Sequence, residues 1–220
     1  MEQNLIHKIA IVTGAGQGIG AAIAHALAAA GAKVAVNDIN PDRAERVAAS
    51  IRAAGGQAIG VHADVANKFQ CSHLVETTRA EWGRLDILVN NAAVKPKATI
   101  LKMDEWEWQR TLDVNLKGAF FMSQFCGRVM ADENGERGGL IIHISSTAGV
   151  AEPLADHAAY AASRAGLLGF ARECAREFAA YGIQVHALTA QEPMDATAVA
   201  QSVLALCSDG GRETAVHIPH

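Results

Sequence analysis

The sequence is poor in cysteine and carries no excess of basic residues. Its 220 residues have a formal net charge of −4 at pH 7 and a pI of about 6.1, with no basic stripe, so a nucleic-acid partner is not expected. The few cysteines stand far apart and form no CxxC pair, at Cys71, Cys126, Cys174 and Cys207. This spacing predicts neither a disulfide framework nor a metal site.

The sequence also lacks a long apolar run. No stretch reaches the roughly 18 apolar residues that a membrane helix needs, so a membrane partner is not expected. The N-terminal stretch MEQNLIHKIAIVTG has no basic region followed by an apolar one, which argues against a signal peptide and favours a cytoplasmic protein. Half of the residues are apolar, enough for a sizeable core, and the length predicts a single domain over residues 1–220.

Short β-branched runs alternate with alanine-rich helical stretches along the chain. The predicted strands are residues 8–14, 33–38, 57–64, 85–93, 138–146, 183–190 and 214–219. The predicted helices are residues 18–32, 41–56, 67–82, 103–130, 157–182 and 195–208. The strands are continuously apolar, as in a parallel sheet buried on both faces, and their alternation with helices calls for right-handed crossovers. The sequence therefore predicts an α/β fold, a doubly wound parallel sheet of about seven strands with helices on both faces.

A glycine-rich stretch, TGAGQGIG at residues 13–20, follows the first predicted strand and opens the first predicted helix. Glycine permits a tight turn there and lets the backbone approach a pyrophosphate closely. The helix N-terminus adds free N–H groups and the positive end of the helix dipole. Because Gly14, Gly18 and Gly20 lie between a strand and a helix, a dinucleotide site is favoured over a structural turn.

Asp38 ends the second predicted strand. A carboxylate at this place can accept hydrogen bonds from both ribose hydroxyls of an adenosine, and it repels a 2′-phosphate. Neither Gln17 nor Ile39 supplies the cation that such a phosphate would need. We therefore predict NAD as the cofactor in preference to NADP; the alternative for Asp38 is a solvated residue at a strand end.

A series of motifs in chain order resembles the short-chain dehydrogenase/reductase family, whose fold is Rossmann-like. They are TGAGQGIG, HADV at 62–65, NNAA at 90–93, DVNL at 113–116, ISSTAG at 144–149 and YAASRAG at 160–166. The resemblance implies that the catalytic residues are Ser146, Tyr160, Arg164 and Asn115. It also implies that the cofactor is bound by Gly14, Gln17, Gly18, Ile19, Gly20, Asp38, Asp64, Val65, Asn91, Ala92, Tyr160 and Arg164.

The resemblance implies hydride transfer between nicotinamide C4 and the carbon of a secondary alcohol or ketone. Tyr160 would then give or take the substrate proton, which requires its pKa to fall well below the usual value of about 10. Ser146 would hold the substrate oxygen, and Asn115 would position water in a proton relay. The family also implies a small alcohol or ketone substrate and a homodimer or homotetramer, or a hetero-oligomer with an active relative.

Three departures from the family pattern fall on the nicotinamide side of the predicted site. Arg164 replaces the family's lysine; its charge favours a tyrosinate and it can reach ribose hydroxyls, but it does not release a proton. Ser146 lies one residue farther from Tyr160 than is usual, so Thr147 is an alternative. Residues 190–191 read Ala-Gln in place of a Pro-Gly turn, and the stretch that usually forms a substrate lid after that turn is missing.

Two functions remain open from the sequence. The first is an NAD-dependent short-chain oxidoreductase with an altered site. The second is a catalytically impaired member of the family that either binds NAD or merely keeps the fold, and that serves as an assembly or regulatory subunit. His157, shortly before Tyr160, is either a replacement proton relay or an ordinary histidine at the start of a helix.

Overall fold

The structure, a computed structural model, describes residues 5–148 and 150–208 and the backbone of residues 216–217. Its strands are β1 Ile9–Val12, β2 Lys33–Asp38, β3 Gln57–His62, β4 Ile87–Asn90, β5 Gly139–Ser146, β6 Ile183–Ala190 and β7 Val216–His217. They form one sheet in the order β3-β2-β1-β4-β5-β6-β7, and each neighbouring pair is parallel. The other residues of the predicted strand 214–219 lie outside the described part of the chain.

The α-helices of the described residues follow the predicted order. They are α1 Gly18–Ala29, α2 Pro41–Ala53, α3 Lys68–Trp82, α4 Glu105–Leu112, α5 Gly118–Glu133, α6 Ala158–Phe178 and α7 Ala196–Ser208. The long helical segment predicted over 103–130 runs from Glu105 to Glu133, and a π-helical turn at Asp113–Lys117 joins α4 to α5 within it. Such turns are frequent at functional sites.

Apolar side chains cover both faces of the sheet. On one face α1 and α7 contribute buried residues such as Ile23 and Val203. On the other face α3 and α5 contribute Leu74 and Met122. Each such buried side chain stabilises the fold by about 1.5–3 kcal/mol. The predicted doubly wound parallel sheet is therefore confirmed, with six strands of four to eight residues and a two-residue β7.

Local sequence sets the ends of α2. Asn40 caps the helix by accepting a hydrogen bond from the N–H of Arg43 at 3.0 Å, and Pro41 stands in the first turn, where its missing N–H costs nothing. The helix ends at Ala53, and Gly55 follows with a φ of +85°. Glycine adopts this left-handed conformation without steric cost, which ends the helix before the predicted residue 56.

The sheet topology brings the motifs to one edge. β1 and β4 are neighbours at the centre, where the strand order reverses, and ligands of such sheets bind beyond the carboxyl ends of the strands at this switch point. Within residues 5–148 and 150–208, no helix is long and apolar enough to cross a membrane. The same residues contain no group of three or more His, Cys, Asp or Glu side chains that could hold a metal ion.

Candidate active site

The loop between β1 and α1 has a conformation that needs glycine. Gly14 has a φ of +61°, and a Cβ there would lie 2.7 Å from the Cα of Ala92. A Cβ on Gly20 would lie 2.4 Å from the side-chain nitrogen of Asn91. Gly18 has a φ of +57°, but nothing lies within 4 Å of its hypothetical Cβ. The loop is packed on its inner side and open at Gly18, as a phosphate cradle requires.

Hydrogen bonds from the end of β4 hold this glycine loop. The side-chain nitrogen of Asn91 donates to the carbonyls of Thr13 at 2.9 Å and Gly14 at 3.1 Å. The Thr13 hydroxyl accepts from the N–H groups of Asn91 at 3.0 Å and Ala92 at 3.1 Å. Asn91 and Ala92 therefore shape the predicted cofactor site through the loop. Thr13 is not among the predicted site residues, although its position just before the first glycine marks it in the sequence.

The first turn of α1 offers N–H groups to an anion. Gln17 is the N-cap residue, its side chain makes no capping bond, and the first turn holds no acidic residue. Ala21 donates to the Gln17 carbonyl at 3.3 Å, so the N–H groups of Gly18, Ile19 and Gly20 precede the first intrahelical bond. Free N–H groups beside a glycine cradle fit the pyrophosphate of a dinucleotide.

Asp38, at the end of β2, is 6 % exposed. Its Oδ2 accepts from the N–H of Gly16 at 3.0 Å, and its Oδ1 accepts from the N–H of Asn40 at 2.9 Å. Each oxygen keeps further acceptor capacity, so the carboxylate can also bind ribose hydroxyls. The Cβ of Arg43 lies 2.6 Å from where a Cβ on Gly16 would stand. The sequence analysis overlooked this arginine, because α2 brings it to the glycine loop only in the fold.

Asp64 and Val65, two of the predicted cofactor-binding residues, follow β3. The Asp64 carboxylate accepts from the N–H of Ala66 at 3.0 Å and from Arg110 at 2.9 Å. Val65 is buried, and its carbonyl accepts from the Cys71 thiol at 3.1 Å. The ion pair with α4 orients the Asp64 carboxylate, so an adenine amino group would have to share it with Arg110.

Asn115 lies in the π-helical turn and is 2 % exposed. Its side-chain oxygen accepts from the N–H of Val94 at 2.8 Å, and its nitrogen donates to the carbonyl of Val94 at 2.9 Å. The same nitrogen donates to the Ser163 hydroxyl at 3.0 Å, which donates to the Tyr160 carbonyl at 2.7 Å. Asn115 thus joins the segment after β4 to the turn of α6 that carries the predicted catalytic tyrosine.

Tyr160 is 3 % exposed. Its hydroxyl donates to Glu192 Oε1 at 2.7 Å. Burial raises the pKa of Tyr160, the charge of Arg164 lowers it, and the hydrogen bond to Glu192 raises it; the result lies above the usual value. The phenol therefore keeps its proton at neutral pH, contrary to the lowered pKa that the family resemblance implied.

Arg164 lies one turn after Tyr160 on α6 and is 3 % exposed. Its NH1 donates to the carbonyl of Ile144 at 3.0 Å, and its guanidinium carbon lies 4.8 Å from the centroid of the Tyr160 ring. Its Nε is buried and has no hydrogen-bond partner within the described residues. A buried donor without an acceptor costs about 1–3 kcal/mol, so a ribose hydroxyl bound there would stabilise the site.

Glu192, which the sequence analysis did not single out, reaches the site from the segment between β6 and α7. Its Oε2 accepts from Lys95 Nζ at 2.9 Å, and the Ser146 hydroxyl also hydrogen-bonds the carboxylate. Burial raises the pKa of Glu192, but the hydrogen bonds and the charge of Lys95 outweigh burial and leave the pKa below its usual value. No local motif marks this contact, because 32 positions separate Glu192 from Tyr160.

Ser146 and Thr147 are the two candidates for the active-site hydroxyl, and His157 is the candidate proton relay. Ser146 is fully buried at the end of β5 and shares the Glu192 carboxylate with the tyrosine. Thr147 is 7 % exposed, and its backbone N–H donates to the end of β6. His157 is the N-cap residue of α6, and its Nδ1 lies 2.6 Å from the carbonyl of Ala155.

Four of the predicted cofactor and catalytic residues line a cavity of about 220 Å³, and they are Ile19, Asn91, Tyr160 and Arg164. Its lining also includes Glu192 and Met194. The connection beside it is short, since β6 ends at Ala190 and α7 begins at Ala196. The deletion of a family lid at this place stays a prediction. The glycine cradle, Asp38 and the unpaired Arg164 Nε together fit a nicotinamide dinucleotide that spans the carboxyl edge of the sheet.

Known proteins share both the sequence and the fold. The chain is 40 % identical to a 3-oxoacyl-[acyl-carrier-protein] reductase of a Synechocystis species over 186 residues, which are 84 % of this chain and 73 % of the relative. It is 38 % identical to a D-threitol dehydrogenase of Mycolicibacterium smegmatis over 182 residues, 83 % of this chain and 68 % of the relative. A crystal structure of a metagenomic short-chain oxidoreductase in complex with NADP matches with a TM-score of 0.86 and 31 % identity, over 98 % of both chains.

The family model for short chain dehydrogenases matches residues 8–204, a range that contains the glycine cradle, the tyrosine and Glu192. Proteins of this family are oxidoreductases that use a nicotinamide cofactor and act on small-molecule substrates. The chain belongs to the short chain dehydrogenase family.

Proposed function

We propose that this protein transfers a hydride between a bound nicotinamide dinucleotide and the carbon of a secondary alcohol or ketone. The observation that carries the proposal is the shared cavity, in which Ile19 and Asn91 of the cradle region meet Tyr160 and Arg164. When bound, the nicotinamide supplies or accepts the hydride. The side chains of the protein bind the reactants, orient them and move the proton.

Tyr160 is the proposed acid. Because burial keeps its pKa above the usual value, the phenol is protonated at neutral pH and can give its proton to a ketone oxygen as hydride reaches the carbon. Ser146, within hydrogen-bonding reach of the same carboxylate as the tyrosine, is the proposed holder of the substrate oxygen. Asn115 supports the site by fixing the backbone around Tyr160.

NAD is the proposed cofactor. The Asp38 carboxylate is tied to two backbone amides, which keeps an acceptor for ribose hydroxyls in place and repels a 2′-phosphate. The proximity of Arg43 to Gly16 is the opposing feature, because its cation could balance such a phosphate. The metagenomic relative was crystallised with NADP, so both dinucleotides belong in the assay.

A second function is supported by the contacts of the same residues. The Tyr160 hydroxyl is engaged by Glu192, and Arg164 donates to a backbone carbonyl. Both contacts favour a subunit that binds NAD without turnover and serves in assembly or regulation. The homodimer or homotetramer, the hetero-oligomer with an active relative and the cytoplasmic location stay predictions of the sequence.

One experiment separates the two functions. NADH and NADPH are titrated by nicotinamide fluorescence, and turnover is then measured with a panel that includes a 3-oxoacyl thioester for reduction and D-threitol for oxidation, the chemistry named for two relatives. The test variant is Tyr160→Phe. The matched control is Tyr181→Phe, since Tyr181 is the second of the two tyrosines and is 55 % exposed.

We expect turnover by the wild type and by Tyr181→Phe, and a loss of about 100-fold or more in Tyr160→Phe, which should still bind NADH. Binding without turnover, unrepaired by Arg164→Lys, would favour the second function. If neither dinucleotide binds, the hydride-transfer proposal is wrong, and so is the NAD-binding form of the second function.

A further inference from the structure

We propose that Glu192 is the proton carrier of this site, taking the proton of Tyr160 during alcohol oxidation and returning one during ketone reduction. The inference rests on the proposed hydride transfer. It deepens that proposal by assigning the proton path, for which Arg164 is chemically unsuited, since a guanidinium does not deprotonate in proteins.

The geometry forms a continuous path from the buried phenol to solvent. The Tyr160 hydroxyl, on a residue that is 3 % exposed, donates to Glu192 Oε1 at 2.7 Å. The opposite oxygen, Oε2, accepts from Lys95 Nζ at 2.9 Å. The exposed fraction of the side chain rises from 14 % at Glu192 to 41 % at Lys95. A proton that reaches the carboxylate therefore has an exit to water beside the lysine.

The surroundings of Tyr160 make such a carrier necessary. Arg164 lies against the ring with its carbon 4.8 Å from the centroid and directs NH1 to the carbonyl of Ile144. The phenol stays protonated, because its pKa is above the usual value. A protonated phenol can accept the proton of an alcohol only if its own proton leaves at the same time, and Glu192 is the base in contact with it.

The proton and electron balance is simple in both directions. In oxidation the C–H bond of the alcohol breaks and its hydride goes to the oxidised nicotinamide. The alcohol proton moves to Tyr160 Oη, the phenol proton moves to Glu192 Oε1, and the carboxylic acid releases that proton to water. In reduction the same protons move in the opposite order, and the ketone receives hydride on carbon and a proton on oxygen.

The groups that face Glu192 keep it anionic, which is the state that can take the phenol proton. Two are cations, two are neutral hydroxyl donors, and one is a carboxylate whose oxygens lie 3.4 Å from the amide of neighbouring Gln191. The cations are Lys95, from the segment after β4, and Arg164, from α6. The hydroxyl donors are Tyr160, from α6, and Ser146, from β5. The carboxylate is Glu152, from the loop before α6. The favourable charges therefore outnumber the unfavourable one.

The test is the pH profile of alcohol oxidation in Glu192→Gln, which keeps the side-chain shape but carries no proton. The kcat of the wild type should stay constant from neutral to alkaline pH, because proton removal through Glu192 does not need a free tyrosinate. In Glu192→Gln, kcat at neutral pH should fall about 100-fold and then rise with pH toward the titration range of Tyr160. Glu192→Asp should restore part of the rate, and Glu81→Gln, which changes an exposed carboxylate near the end of α3 and away from the site, should behave as wild type.

A second measurement tests the contact without turnover. The chain has two tyrosines, so a Tyr181→Phe background leaves Tyr160 alone in the tyrosinate absorbance titration. Because the hydrogen bond to Glu192 raises the pKa of Tyr160, Glu192→Gln in that background should lower the titration midpoint. An unchanged midpoint would overturn the contact on which the inference stands.

The kinetic measurements distinguish a failure of the hydride-transfer proposal from a failure of the proton-carrier proposal. Wild-type protein that binds NADH but shows no turnover at any pH would refute the proposed hydride transfer, and the proton carrier with it. If the wild type is active, and Glu192→Gln is equally active with a kcat that does not change over the same pH range, only the proton-carrier proposal is refuted. A folded Glu192→Gln is verified in both cases by its NADH affinity, which should equal that of the wild type.

Discussion

Replacing Asp38 by asparagine tests the dinucleotide site by changing one charge and almost no volume. The carboxylate accepts one backbone N–H on each oxygen, from Gly16 and Asn40, in a residue that is 6 % exposed. Asparagine offers one acceptor oxygen, so one of these N–H groups loses its partner. An unsatisfied buried donor costs about 1–3 kcal/mol, and we expect the melting temperature to fall by about 2–12 °C.

Asp38→Asn should also change cofactor binding, and it should weaken the binding of NADH more than that of NADPH. A charged hydrogen bond to a ribose hydroxyl contributes about 1.5–3 kcal/mol, so Asp38→Asn should raise the Kd for NADH about 10- to 150-fold. The Kd for NADPH should stay the same or fall, since the charge that repels its 2′-phosphate is removed.

The assay is fluorescence titration of both dinucleotides with Asp38→Asn, with Asp42→Asn as the control. Asp42 lies in the first turn of α2 and is exposed, so its substitution removes the same charge close by without touching the glycine loop. The control should leave both Kd values within about twofold of the wild type. An unchanged Kd for NADH in Asp38→Asn would refute the assignment of this carboxylate to the ribose.

Three further predictions follow from the packing and charges of the site. In urea denaturation, Gly14→Ala should destabilise the protein by about 2–5 kcal/mol and Gly18→Ala by about 1–2 kcal/mol. Both glycines have a positive φ, but only Gly14 lacks space for a methyl group. Asn115→Ala removes three hydrogen bonds and should cost about 2–4 kcal/mol by the same measurement; equal stability would contradict its bridging role. Lys95→Met removes a charge that lowers the pKa of Glu192, so this pKa rises and the acid limb of the oxidation profile should move to higher pH; an unmoved limb would exclude Glu192 as the titrating group.

Much of the architecture could be predicted because its signals are local. The apolar strands and the alanine-rich helices alternate in the sequence as they do in the fold, and the glycines at 14, 18 and 20 mark the turn into α1. Asp38 could be placed because it is the last residue of a predicted strand, and carboxyl ends of parallel strands share one edge. Tyr160 and Arg164 share a face of α6 because they are one turn apart.

The remaining features depend on contacts that no short stretch encodes. The π-helical turn at Asp113–Lys117 inserts one extra residue per turn into an otherwise continuous helical pattern, and its Asn115 bonds Val94 across the fold. Arg43 approaches the cradle only when α2 packs beside β2. Glu192 meets the proposed catalytic tyrosine through a loop whose sequence departs from the family pattern, so neither spacing nor resemblance pointed to it.

A crystal structure of the protein soaked with NADH would test the central claim most directly. We predict that the pyrophosphate lies on the N–H groups of Gly18 and Ile19, that the adenosine ribose binds Asp38, and that the nicotinamide end enters the cavity beside Tyr160. The account is contradicted if, at saturating dinucleotide, the glycine cradle holds no density or the nicotinamide lies away from that tyrosine.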